Sequence, residues 1–232
     1  MAPLPIISTT FRIRKARGFA VAASLLLAGC GSEGSDTHLL VGALRDSITG
    51  SSSTSVTLKE AAAVPYASLG VRIGGGSQFL IVLAMDAPHS RLWAAGKAIA
   101  LQTDDGRIVR SSGLEHNLSG VTGDLGAVVS PLEALKQHNG KRTLVYDFAD
   151  LNAYSIKVIC QTVRQGRENI QILGKTIPTV HVEESCRANA LNWSFVNTYW
   201  VGEKSGMVWK SIQYIHPRLG SISTEILRPP ES

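Results

Sequence analysis

Apolar and polar residues alternate with a period of two along most of the chain from residue 67 onward, as in β-strands that bury one face. The runs that this pattern predicts as strands are 67–73, 78–85, 97–103, 108–111, 142–148, 154–163, 169–173, 177–182, 193–201, 207–215 and 221–227. Short segments rich in Gly, Pro, Asn and Asp separate them. Such short connections predict that strands adjacent in sequence pair in an antiparallel manner.

Two of the joints carry specific turn chemistry. Residues 74–77 are Gly-Gly-Gly-Ser, and residues 104–106 are Asp-Asp-Gly. Asp-Gly readily adopts the positive φ angles that tight hairpins need, so the second joint is the stronger prediction. The triple glycine does not lead into a helix, as a phosphate-binding loop would, and it therefore also predicts a hairpin.

Helical patterns are few and short. Leu58 to Val64 predicts a brief helix that Pro65 stops, and Ser130 to Gln137 predicts a second one, with Pro131 at its first position. We therefore expect an all-β, mainly antiparallel fold, either a sandwich or a partly closed barrel, with one or two short helices.

The first 29 residues have the pattern of an export signal rather than of a folded element. Four basic residues lie between positions 12 and 17, an apolar run follows from 19 to 27, and Leu27-Ala28-Gly29-Cys30 resembles the lipobox of bacterial lipoproteins. The apolar run is far shorter than the roughly 20 residues of a membrane-spanning helix. We predict that residues 1–29 are removed and that Cys30 carries the lipid, including palmitate.

The predicted mature chain has two parts. Residues 30–55 are rich in Gly, Ser and Thr, which predicts a flexible tether, and residues 56–232 form a single β-rich domain. Two or more acyl chains on Cys30 would hold the protein stably at a membrane. An Asp directly after the lipidated cysteine resembles the inner-membrane retention signal of enterobacterial lipoproteins. No Asp follows Cys30, so we predict sorting to the periplasmic side of the outer membrane.

The net charge of +5 comes almost entirely from the predicted signal. Removal of residues 1–29 would take away four of the 23 Lys and Arg and none of the 18 acidic residues. The mature protein would then be nearly neutral, which argues against nucleic acid as a partner.

Two cysteines remain in the domain, and the sequence leaves their state open. Cys160 and Cys186 share the parity of the apolar side chains of their strands, which favours a disulfide in an oxidising periplasm. In a simple meander, however, the predicted strand 169–173 would separate them, whereas a bridge needs Cα atoms within about 7 Å. The alternative is a pair of small buried side chains.

The sequence contains none of the common catalytic or metal-binding motifs. Gly-x-Ser-x-Gly, His-Glu-x-x-His and Cys-x-x-Cys are missing, and the six histidines are spread through turns and strands rather than spaced as ligands. Glu183 and Glu184 are adjacent, so on a strand they point to opposite faces, and we expect both to be solvated charges. We predict no enzyme activity, no cofactor and no metal.

The aromatic residues concentrate in the last predicted strands. Trp193, Phe195 and Tyr199 share one face of their strand, whereas Trp200 lies on the other. Since one face belongs to the core, Trp200 is the candidate for contact with a glycan or a partner, although aromatic packing would also explain it.

Several segments between residues 56 and 229 resemble the YjbF/GfcB-type lipoproteins, which are encoded with exopolysaccharide and capsule secretion genes. The most specific segment runs from Asn192 to Gln213 and contains Asn, Tyr and Trp in that order, a Ser-Gly turn and a second strand. Further matching segments lie at 63–68, 79–84 and 106–118. The resemblance implies an outer-membrane lipoprotein without a defined catalytic motif, so it transfers no site residues.

The function expected from these observations is non-catalytic assistance in exopolysaccharide or capsule export or surface assembly. The expected partners are the membrane, through the lipid, and polysaccharide together with polysaccharide-secretion proteins. Two alternatives stay open: a polysaccharide-modifying enzyme, which needs convergent carboxylates or a His-Tyr pair, and a lipid-binding periplasmic module, which needs a continuous apolar cavity.

Overall fold

The structure is a computed structural model that describes residues 54–125 and 139–231. Its elements are α1 Leu58–Ala63, β1 Ser68–Ile73, β2 Phe79–Ala87, β3 Ser90–Ala95, β4 Ile99–Asp104, β5 Arg107–Ser112, β6 Gly120–Gly123, β7 Asn139–Phe148, β8 Ala153–Ile172, β9 Lys175–Ala188, β10 Trp193–Gly202, β11 Val208–Gln213 and β12 Ile222–Arg228, with 3₁₀ turns at Ala149–Leu151 and Asn189–Leu191. The predicted signal, the lipidation site Cys30, most of the predicted tether and the predicted helix Ser130–Gln137 lie outside the described residues.

The described strands form one antiparallel sheet in which strands adjacent in sequence pair, except β5 with β6, and β1 pairs with β12. The two edge strands, β5 and β6, lie beside each other, and the Ser111 N–H donates to the Leu118 carbonyl at 2.9 Å. The sheet is therefore nearly closed and barrel-shaped. This confirms the predicted all-β antiparallel class, in its barrel form rather than as a sandwich.

An antiparallel meander places alternate connections at opposite ends of the sheet. We call one end of the sheet the entry end; it holds the β1–β2, β5–β6, β7–β8, β9–β10 and β11–β12 connections. The opposite end, the far end, holds the β4–β5, β8–β9 and β10–β11 connections. The described chain begins at the entry end, where the Gln78 N–H donates to the Thr54 carbonyl at 2.8 Å.

Turn residues in left-handed conformations produce the tight hairpins. Asp105 and Gly106, with φ angles of 44° and 91°, join β4 to β5, as their sequence predicts. Leu173 and Gly174, with φ angles of 49° and 77°, join β8 to β9 in the same way. At Gly106 a side chain is also excluded by contact, because an added Cβ would lie 2.5 Å from Val208.

The short helix α1 confirms the prediction for Leu58 to Val64, one residue shorter at its end. Thr57 and Glu60 form a capping box, in which the Thr57 hydroxyl accepts from the Glu60 N–H and Glu60 accepts from the Thr57 N–H. Among the described residues, no helix has the length and apolar character needed to cross a bilayer.

The prediction of separate strands at 154–163 and 169–173 is wrong, because both belong to the 20-residue strand β8. The intervening Gly166 is a bulge in the β8–β9 ladder, with a φ angle of 143°, and not a turn. A glycine in a strand interior often marks such a bulge.

Two strands, β3 and β6, were missing from the sequence prediction. The segment of β3 reads Ser-Arg-Leu-Trp-Ala-Ala, whose alanines favour a helix as much as a strand, and β6 is only Gly-Val-Thr-Gly. Both owe their strand conformation to the sheet neighbours that they pair with, since neither carries a strong local preference.

Large side chains fill the interior of the sheet. Trp93, Phe148 and Tyr199 are all fully buried there. A cavity lined in part by Trp93 and Val208 has a volume of only about 50 Å³, enough for a few water molecules. Pockets for small ligands are larger, from about 300 Å³. This cavity therefore gives no support to the lipid-binding alternative.

Candidate functional site

A buried ion pair lies inside the sheet and joins opposite walls of it. Arg107 on β5 donates two hydrogen bonds to the carboxylate of Glu184 on β9, at 2.9 and 2.7 Å. Their side chains are 2% and 0% exposed. A bidentate pair of this kind is strong and geometrically specific because both donors of the guanidinium fork meet both carboxylate oxygens.

A second arginine shares the same carboxylate. The Nε atom of Arg142 on β7 lies 3.5 Å from Oε1 of Glu184, and its Nη1 group donates to the Asp124 carbonyl at 3.1 Å. Burial, together with the charge of Arg107, lowers the pKa of Arg142. Burial alone would also lower the pKa of Arg107, but the charge of Glu184 raises it above its ordinary value. Two buried guanidinium groups therefore face one carboxylate.

Amide side chains extend this network to β10 and β11. Asn197 donates to Glu184 at 3.3 Å and accepts from the Tyr214 N–H at 2.9 Å. Gln213 accepts from the Ile108 N–H and donates to the Gly106 carbonyl, both at 2.9 Å. The network thereby holds β5, an edge of the sheet, against strands on the opposite wall.

The network fits a structural role better than a catalytic one. Every charged member is buried, and so are the nearby phenols of Tyr146 and Tyr199. Burial raises the pKa of Tyr146 to about 12. Catalytic groups must reach substrate, and these side chains do not. The prediction that Glu184 is a solvated charge is wrong. Glu183 and Glu184 do point to opposite faces, as their adjacency predicts, but Glu184 is on the inward face. Its partner Arg107 is 77 residues away in sequence, so local sequence contained no sign of the ion pair.

Two histidines meet one carboxylate at the entry end. Asp150, in the first 3₁₀ turn, lies 2.9 Å from His116 Nδ1 and 3.2 Å from His216 Nε2. The two imidazole rings stack with centroids 4.9 Å apart. Burial alone would raise the pKa of Asp150, but the hydrogen bonds from His116 and His216 bring it below its usual value.

The histidine pair resembles a metal-ligand set, yet its hydrogen bonds do not suit one. The Arg218 N–H donates to Nδ1 of His216 at 3.1 Å, so Nδ1 is unprotonated and a neutral ring carries its proton on Nε2, facing Asp150. A metal-binding histidine instead donates its second ring N–H to an acceptor. Burial lowers the pKa of His216, which favours this neutral form.

The candidate disulfide lies in the β8–β9 hairpin. Cys160 and Cys186 are directly opposite each other in the ladder, and the structure joins them in a disulfide. The strand that was expected to separate them does not exist as a separate strand, because β8 continues through the Gly166 bulge and β9 returns beside it. The topological argument against the bridge was therefore wrong.

Trp200 lies on the outer face of β10, as its parity predicts, but both faces of its indole ring are occupied. His181 on β9 stacks on it with centroids 5.2 Å apart, and Lys210 on β11 lies 5.4 Å from the ring centroid. Sugars bind tryptophan through an open ring face. Contact of Trp200 with a glycan would therefore require His181 or Lys210 to move.

The inward aromatic residues of β10 pack as predicted. Phe195 and Tyr199 are buried, and Trp193 is half-buried against Phe195, with ring centroids 4.0 Å apart. Asn192 ends the second 3₁₀ turn in a left-handed conformation with φ at 47°. Together with the buried Asn197, this gives both asparagines of the segment structural roles.

Comparison with known proteins places these features in a family. Residues 41–227 match the family described as "Group 4 capsule polysaccharide lipoprotein gfcB, YjbF". The chain belongs to this family. The resemblance inferred from segments between residues 56 and 229 is thereby confirmed.

Two relatives from Escherichia coli (strain K12) are similar over nearly their whole length. The uncharacterized lipoprotein GfcB is 24% identical over 212 residues, which cover 89% of this chain and 95% of GfcB. The uncharacterized lipoprotein YjbF is 23% identical over 207 residues, covering 88% of this chain and 93% of YjbF.

A solved structure has the same fold. The crystal structure of the hypothetical lipoprotein YmcC from Escherichia coli (K12) superposes with a TM-score of 0.63 at 21% identity. The match covers 87% of this chain and 100% of that chain. This chain and YmcC therefore share the fold.

Proposed function

We propose that this protein is a lipid-anchored component of the bacterial envelope that assists export or surface assembly of an exopolysaccharide without chemistry of its own. The observation that carries the proposal is the family match over residues 41–227, whose description names capsule polysaccharide lipoproteins. The lipobox-like Leu27-Ala28-Gly29-Cys30 agrees with that description. The anchor would be Cys30, at the periplasmic side of the outer membrane.

The interior supports a binding or assembly role rather than catalysis. The buried charged side chains Arg107 and Glu184 bind each other and are enclosed by the sheet. The protein would act through its outer surface, on polysaccharide and on neighbouring secretion proteins.

A gene deletion tests this function. Deletion in the native bacterium, followed by separate measurement of surface and periplasmic polysaccharide, should lower the surface fraction, and the intact gene should restore it. A version with Cys30→Ala should restore it only in part, because the protein would leave the membrane. Unchanged surface polysaccharide after deletion would refute the proposal.

One observation favours the enzymatic alternative. Asp150 accepts from His116 Nδ1, a contact that in hydrolases leaves Nε2 free to act as a base. The His116 side chain is 23% exposed, so a substrate could approach it. Incubation of purified protein with the native glycan distinguishes the two functions. If the wild type shortens the glycan and the His116→Gln variant does not, the protein is an enzyme. A glycan of unchanged length supports the non-catalytic role.

A further inference from the structure

One outer face of the sheet combines unpaired positive charge with exposed aliphatic side chains. Lys141 on β7, Lys157 on β8 and Arg187 on β9 all point outward and are exposed. Ile159, Val163 and Val196 lie among them, at 37%, 36% and 43% exposure. We call this the outer basic face, and it is defined by these six residues.

The ladder register places the six side chains on one outer face that extends from β7 to β10. Ile159 lies directly between Thr143 on β7 and Arg187 on β9, and Lys157 is the next outward residue of β8. Outward neighbours along one strand are about 7 Å apart and those on adjacent strands about 5 Å apart. Lys157 and Arg187 are therefore within roughly 10 Å of each other and can contact a single extended ligand.

The three cations have no acidic partner within the described part of the chain. Arg187 donates to the neutral side chain of Asn189, and neither lysine makes an ion pair. The acidic residues on or beside this face accept hydrogen bonds from neutral donors rather than from these three cations. Asp124 accepts from the Thr143 N–H, Asp147 accepts from the Ser155 N–H, and Glu183 accepts from Gln165.

Neutral polar side chains on the same strands point outward without a side-chain hydrogen bond. Gln161, Ser185, Ser194 and Thr198 are in this position among the described residues. Hydroxyl-rich sugars can satisfy such groups, and their C–H faces can cover the aliphatic side chains. A membrane-binding face would instead be expected to carry Trp, Phe or Leu.

We propose that the outer basic face binds an anionic polysaccharide, whose carboxylate groups Lys141, Lys157 and Arg187 neutralise. This inference rests on the proposed function and adds the chemical class of the glycan and the surface that holds it. It assigns no role to Trp200, whose ring faces His181 and Lys210 cover.

Binding of full-length protein to polygalacturonate, with dextran as the neutral polysaccharide, tests the proposal. The variant with Lys141→Gln, Lys157→Gln and Arg187→Gln should lose about tenfold or more in affinity, since each exposed ion pair contributes a fraction of a kcal/mol. The matched variant with Lys97→Gln, Lys175→Gln and Lys204→Gln changes the net charge equally and should bind within about twofold of wild type. Equal thermal midpoints show that both variants fold.

Four results would overturn the inference: no binding of wild-type protein to polygalacturonate, equal binding to dextran, equal losses in both variants, or binding of phosphatidylglycerol vesicles in preference to polygalacturonate. Expression of the variants in the deletion strain separates this inference from the proposed function. Suppose that deletion removes surface polysaccharide and that the variant with Lys141→Gln, Lys157→Gln and Arg187→Gln restores it fully. The binding role of the outer basic face is then refuted, while the proposed function stands. If deletion itself changes nothing, the function fails.

Discussion

Glu184 is the residue on which the interior of the sheet depends most. Its carboxylate binds Arg107 through two hydrogen bonds and also faces Arg142 and Asn197, so its loss would leave two guanidinium groups buried without a counter-charge. Glu183, its neighbour in sequence, points to the outer surface and makes only exposed contacts. The two residues therefore form a matched pair for experiment.

Glu184→Gln should lower the free energy of unfolding by about 3–5 kcal/mol, because breaking a buried ion pair strands the partner charge. Glu183→Gln should change it by less than about 0.5 kcal/mol, as is usual for surface substitutions. Urea titration of both variants measures the difference. Similar midpoints for the two variants would contradict the buried ion pair.

His216 makes the stability depend on pH. Its side chain is fully buried, and burial lowers its pKa despite Asp150, while His116 and Arg218 lower it further. As the pH falls, the unfolded chain therefore takes up a proton at this histidine before the folded chain does. The contribution of His216 to the free energy of unfolding is complete above about pH 6.5 and decreases as the pH falls through that value.

Thermal midpoints between pH 7.5 and pH 5 should fall for the wild type, and His216→Gln should flatten that dependence. His89→Gln serves as the control because the His89 side chain is exposed and its only side-chain partner within the described residues is Asp105, at the far end. The interpretation would be wrong if His89→Gln flattened the curve and His216→Gln did not.

At the scale of elements, much of the sheet follows from local sequence. Asp105-Gly106 and Gly174 supply residues that tolerate the positive φ of their hairpins, and the alternation in β10 separates Phe195 from Trp200 correctly. β3 and β6 could not be predicted because pairing rather than propensity holds them in the sheet. The bulge at Gly166 was mistaken for a turn because glycine serves both purposes.

The same kind of corner joins β7 to β8 and β9 to β10. Each is a 3₁₀ turn that ends in Leu-Asn, with the asparagine in the left-handed conformation: Asn152 at a φ of 48° and Asn192 at 47°. Asparagine tolerates this conformation better than most residues. The pairs Leu151-Asn152 and Leu191-Asn192 were visible in the sequence and would have identified both corners.

The β8–β9 hairpin carries the next prediction. Cys160 and Cys186 are 26 residues apart, for which the chain-entropy treatment gives about 3.5 kcal/mol of stabilisation. The double variant Cys160→Ala, Cys186→Ala should lose about that amount in urea unfolding. Reductant should destabilise the wild type and leave the double variant unchanged. A wild-type midpoint that ignores reductant would contradict the disulfide.

At the scale of the whole molecule, long-range contacts were beyond the sequence. Alternation predicts which side of a strand is inward, but not that Arg107 meets Glu184 or that His116 meets His216, because those contacts depend on how the meander closes. The family resemblance was visible in the sequence because it rests on local segments such as Asn192–Gln213.

The proposed function requires the domain to work from a lipid anchor, since the proposed partners are in the envelope. Intact mass spectrometry of the protein extracted from native membranes measures this directly. We expect a mature chain that begins at Cys30 and carries diacylglycerol and acyl groups. A chain that retains residues 1–29, or one with an unmodified Cys30, would contradict it.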